Sequence, residues 1–120
     1  MTDSASQLPI LVDMNRSGRS SGGTVYVYLT ISATTISLAR QNLQLYDGMV
    51  LSCYSDDGDG FGNRDDLVFR GEVHYSEARG WYAQVSWDEI KHLSEIAGDP
   101  GHWANAVDWA AVRQTESSWF

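Results

Sequence analysis

Polar and apolar residues alternate most regularly between Met49 and Trp87. Met49, Leu51 and Cys53 fall on one side of the first run, and Val50, Ser52 and Tyr54 on the other. In the second run Leu67, Phe69, Val73 and Tyr75 share one side, and Val68, Arg70, Glu72 and His74 the other. The third sets Trp81, Ala83, Val85 and Trp87 against Tyr82, Gln84 and Ser86. Side chains point alternately to the two faces of a strand, so a period of two predicts three strands with one face buried and one wetter. Gly71 interrupts the inward side of the second run, as at a bulge or sharp bend. The short link at 76–80 contains Gly80, which suits a hairpin, so the three runs predict an antiparallel meander.

The flanking segments are read in the same way. The stretch 8–14 predicts a first strand, with Pro9 placing it at an edge or a start. Gly and Ser dominate 15–23, which predicts a loop. Val25, Val27, Leu29 and Ile31 alternate with Tyr26, Tyr28 and Thr30, a strand signal; the β-branched stretch 34–40 predicts another. Beyond Trp87 the period lengthens. Ser86 and Glu89 are spaced as a capping box, Ile90, Leu93 and Ala97 follow at helical spacing, and Gly98 is a stop. Asp99-Pro100 reads as a second helix start, with Trp103, Ala106, Val107 and Ala110 as its apolar stripe. The expected fold class is α+β, mainly β: a small antiparallel meander or partly open SH3-like barrel with one or two short C-terminal helices. The expected organisation is a frayed tail at 1–7 and a single globular domain over 8–120.

Charge narrows the functional classes. Eight basic and sixteen acidic residues among 120 give a net charge of −8. That field repels nucleic acid and anionic membranes and favours cations or a basic protein partner. No secretory leader or apolar span is evident, so a cytoplasmic location is the expectation. The lone Cys53 points inward and reads as a small buried hydrophobe.

Three groups of residues are candidates for chemistry. The first is the acidic loop at 56–66, with Asp56, Asp57, Asp59, Asp65 and Asp66 among glycines. Its Asp57-Gly58-Asp59-Gly60-Phe61-Gly62-Asn63 resembles the DxDGxGD-type loops of calcium-binding repeats. Asp57, Asp59, Asn63 and Asp65 would then be the oxygen donors and calcium the ligand. The EF-hand pattern fails, since Val68 stands where the closing Glu belongs, and the bland reading is a solvated hairpin tip. The second group is the wetter sheet face. Tyr54 and Tyr82 beside Arg70 and Val68 have the composition of a protein-binding surface, unless the C-terminal helices cover it. The third is His74 with Glu72, an acid–base pair for which no nucleophile is evident.

Two further patterns are weaker. Glu89 and His92 have E-x-x-H spacing on one expected helix face, but a di-metal site needs a second copy. The stretch 18–24 brushes the P-loop pattern without its lysine. Trp119-Phe120 is expected to dock back onto the domain. The reading is therefore a non-enzymatic interaction domain that binds another protein through an open sheet face or the acidic loop. The alternatives are a calcium-binding domain and an immunity-type inhibitor of a basic partner.

Overall fold

The computed structural model describes residues 8–14, 17–19, 22–58 and 60–117. The expectations for the tail at 1–7, for Asp59 and for Trp119-Phe120 lie outside the described residues. The domain is α+β and mainly sheet. Its strands are β1 (Ile10–Leu11), β2 (Ser17–Arg19), β3 (Thr24–Tyr28), β4 (Val50–Ser55), β5 (Leu67–Ser76), β6 (Gly80–Ser86) and β7 (Lys91–His92). Six of them run in the order β1-β4-β5-β6-β3-β2, and β7 pairs with β5 off that path. All pairings are antiparallel except β1 with β4, and the sheet stays open. The predicted meander is β4-β5-β6. Its second turn is tightened by the Arg79 N–H, which donates to Ser76 Oγ at 3.0 Å, and by Gly80 at φ 69°.

The β-branched stretch expected as a strand is instead α1 (Ser32–Arg40). Its polar residues explain the difference. Thr34 Oγ1 donates to the Leu11 carbonyl at 2.7 Å, and the Leu11 N–H donates to Ser37 Oγ at 3.2 Å. Gln41 both accepts from the Leu8 N–H and donates to its carbonyl. Positions 34, 37 and 41 share a helix face, so α1 supplies the hydrogen bonds that a further strand would have given β1 and closes that sheet edge. The helix stops where Asn42 adopts φ 54° and the Leu43 N–H reaches back to the Leu38 carbonyl, a left-handed C-terminal cap. The loop expected before β3 also carries a strand, since β2 pairs with β3 over three residues.

The C-terminal part departs from expectation too. Ser86 makes no side-chain cap, and Trp87–Glu89 is a 3-10 turn. Trp87, expected in the core, is 45% exposed. The first C-terminal helix is the single turn α2 (Leu93–Ile96), where Glu95 accepts from the His92 N–H at 3.0 Å. Asp99 does not start a long helix. It closes a turn through the Gly101 N–H, and Trp103–Ala106 forms a second 3-10 turn. The helix α3 (Trp109–Ser117) begins after Asp108, whose Oδ1 accepts from the Ala111 N–H.

Two apolar clusters result. The main one joins Ile10, Val25, Val27, Leu29, Leu51, Cys53, Phe69, Val73 and Ala83 to Leu38 of α1. The second lies on the opposite face of the sheet. There Tyr54 and Val68 meet Ile96, Ala104 and Val112, with Trp103 and Trp109 packed at the margin. Among the described residues no helix is long and apolar enough to cross a membrane.

Candidate functional site

The ladder between β5 and β6 ends at Glu72↔Gln84, although β5 extends back to Leu67 and β6 on to Ser86. Gly71 marks the parting. A Cβ there would sit 2.9 Å from the Ala83 Cβ and 3.3 Å from the Phe69 ring, so close approach of the two strands requires glycine. Past it, β5 pairs with β7 instead, at Leu67 and Val68. A cleft of about 460 Å³ opens in the split, lined by Thr24, Val50, Arg70, Glu72, Gln84 and Glu89 among others. A second cleft of about 520 Å³ runs on towards the C-terminal segment, past Lys91, Glu95, Asp99 and Trp103. Both clefts are lined by Arg70 and Glu89, so they adjoin at these two side chains as a two-part groove.

No family model matches the chain, and neither a curated protein nor a solved structure matches it.

Arg70 stands where the two clefts meet. Its Nε donates to Ser52 Oγ at 3.2 Å, and its guanidinium lies 4.9 Å from the Trp103 ring centroid. Among the described residues no carboxylate pairs with it. Glu89 likewise has no ion-pair partner among them. Four carboxylates line the groove, those of Glu72, Glu89, Glu95 and Asp99, against the cations Arg70 and Lys91. Beyond Glu72 the open face carries Tyr82, edge-on to Tyr26 with centroids 5.7 Å apart and covered by the Arg79 guanidinium.

His74 adjoins this aromatic group, and its surroundings argue against acid–base chemistry. Nδ1 lies 2.9 Å from Asp47 and Nε2 2.8 Å from Glu72. The hydrogen bond to Asp47, with Glu72 assisting, raises the imidazole above its ordinary range. Both nitrogens donate when the ring is charged, which leaves neither free to take a proton from a nucleophile. Cys53 is fully buried, and burial pushes its thiol far up. The His74–Glu72 pair is thus a charge clamp beside the groove.

The expected open face at Tyr54, Val68, Arg70 and Tyr82 is only half there. Tyr54 is 1% exposed and Val68 fully buried beneath the C-terminal segment, whereas Arg70 and Tyr82 remain on the open half. The Tyr54 hydroxyl donates to Glu116 at 2.6 Å, and Glu116 is gripped by both terminal nitrogens of Arg64 at 2.9 and 2.8 Å. Arg64 also holds the buried Asp66 at 2.7 Å, and Arg113 reaches the same carboxylate at 3.3 Å. These pairs fasten α3 to the acidic loop. Arg64 lies within that loop, so its reach was hidden only because Glu116 is distant in sequence.

The loop's described carboxylates are taken by the protein's own donors. Asp56 pairs with Arg64, Asp57 with His92 Nε2 at 2.8 Å, and Asp65 accepts from both the N–H and the hydroxyl of Ser94. The His92 bond lowers Asp57 and raises His92. Asn63 lies next to the Gly58↔Arg64 bridge that closes the loop. Among the described residues no three His, Cys, Asp or Glu side chains are arranged to hold a metal. Glu89 and His92, expected on one helix face, sit in a 3-10 turn and a strand. His102 accepts from the Ala104 N–H and caps its own turn.

Proposed function

We propose that this chain is a non-enzymatic interaction domain that binds a basic segment of another protein in the groove along the open half of its sheet. The supporting observation is the groove itself: a split between two strands continues into a second cleft, and carboxylates outnumber cations along both. A net charge of −8 steers a basic partner towards it. The occupied nitrogens of His74 and a buried thiol support the non-enzymatic reading. Neutralising a basic partner, as an immunity-type inhibitor does, is one form this binding takes. The calcium alternative has no comparable support, since Asp57 and Asp65 are engaged by His92 and Ser94.

Calorimetric titration with a short acetylated, amidated lysine–glycine peptide tests the reading. Glu89 lines both clefts without an ion-pair partner among the described residues, whereas Glu77 belongs to the distant β5–β6 hairpin. Glu89→Gln should weaken binding about fivefold at low salt, the equivalent of ~1 kcal/mol for one exposed charge pair, and Glu77→Gln should barely matter. Equal losses from the two would mean that net charge alone attracts the peptide, with no groove involved.

A further inference from the structure

We infer that Arg70 is the specificity determinant of this groove, recognising the side-chain carboxylate of an Asp or Glu set between basic residues of the bound segment. The inference rests on the proposed function and deepens it. A guanidinium in an acid-lined groove would ordinarily pair with one of its acids, as Arg64 and Arg113 do with Asp66. Arg70 does not, although Glu72 and Glu89 line the same cleft. It is instead held from two sides, by Ser52 at Nε and by the Trp103 ring at its face. Nε and the stacking face are thereby used, and the terminal nitrogens keep the fork that matches a carboxylate.

The strand pairing adds a second reason. The Val73 N–H bonds to the Met49 carbonyl, so by alternation the backbone of Arg70 turns away from β4, towards the side where β6 has already parted. The residue thus presents main-chain polar groups as well as its side chain to whatever lies in the split.

The groove's length selects the source of the carboxylate. Arg70 lines both of its clefts, the first of which is also lined by Thr24 and Gln84 and the second by Asp99 and Trp103. Carboxylates lie on both sides, Glu72 in the first cleft, Glu95 and Asp99 in the second, with Glu89 in both. A chain passing over Arg70 in mid-course satisfies both arms with cations and the centre with an anion. A chain terminus would leave one arm empty. The ligand class is therefore an extended segment in the order basic, acidic, basic.

The test sets a pair of peptides, with a free-carboxylate control, against the native protein and two Arg70 variants. One acetylated, amidated peptide carries lysines on both sides of a central Glu, and the other has Gln in its place. The native protein should bind the Glu peptide about fivefold more tightly, as befits a solvent-open Arg–carboxylate pair. That preference should vanish in Arg70→Gln and shrink in Arg70→Lys, which keeps the charge and the stem without the fork. Thermal melts of both variants report whether they fold, and the Lys variant carries the test if the Gln variant does not. A merely structural Arg70 would lower the affinity for both peptides alike. Equal binding of the two peptides by the native protein, or a preference that survives Arg70→Gln, overturns the inference. So does a stronger preference for a Gln peptide with a free C-terminal carboxylate. If the Gln peptide binds and responds to Glu89→Gln without any Glu preference, the groove stands and this inference falls; if neither peptide binds, both fall.

Discussion

Tyr54 and Val50 lie on the same strand and the same side of it, yet Tyr54 is 1% exposed and Val50 60%. On β5 the same contrast separates Val68, fully buried, from Arg70 and Glu72, both exposed. Residue alternation is identical in the two halves, so the difference comes from what lies above them. The C-terminal segment brings Ile96, Ala104 and Val112 down over Tyr54 and Val68 and is fastened there by Glu116 and Arg64. Its cover over the sheet reaches Trp103, beside Arg70, while Val50 on the same face stays open. A strand pattern reports which residues share a face. It does not report how far a distant segment extends across that face.

The largest effect that would break this comparison belongs to the covered half. Tyr54→Ala removes a buried ring and its bond to Glu116, and should cost about 3–5 kcal/mol in urea unfolding. Val50→Thr, on the open half of the same strand, should change stability by less than ~0.5 kcal/mol. Similar costs for the two would mean that the halves are covered alike. Gly71, at the border, comes next. Gly71→Ala forces a Cβ to within 2.9 Å of the Ala83 Cβ and should cost about 1–3 kcal/mol. Adding Ala83→Gly should return part of that loss, because the two positions are in contact. Additive losses would place the strain elsewhere.

The smallest effect is a pH dependence on the open half. Asp47 and Glu72 raise His74 above its unfolded value. Its stabilising contribution is therefore complete below about pH 6.5 and disappears as the pH rises through the higher folded value. Melting curves of the native protein and His74→Gln should differ most in mildly acidic buffer and converge as the buffer turns alkaline. A gap that widens with pH would contradict the clamp.

How much of this was legible in the sequence follows the range of each signal. β4, β5 and β6 were readable because alternation is local, but Gly71, expected at a bulge or sharp bend, pairs in unbroken register with Leu51 and lies where β6 parts from β5. α1 was not, because Thr34 and Ser37 favour a helix only by bonding to Leu11, more than twenty residues away. The C-terminal helix starts were misplaced for a related reason. Asp99-Pro100 has the chemistry of a start, but Asp99 spends its carboxylate on the Gly101 N–H, and Asp108 caps the longer helix. The acidic loop was conspicuous in the sequence and is largely neutralised in the fold by Arg64, Arg113 and His92. The groove acids were inconspicuous, being scattered from Glu72 to Asp99, and only the sheet split and the C-terminal segment together bring them near one another.

Backbone amide shifts during titration with the lysine–glycine peptide test the central claim most directly, because they compare the groove and the acidic loop in one experiment. The account predicts changes concentrated at Val50, Arg70, Glu72, Gln84, Glu89 and Trp103, with Asp56, Asp57, Asp65 and Asp66 nearly still. Changes centred on the loop aspartates, or spread evenly over the acidic surface, would contradict it.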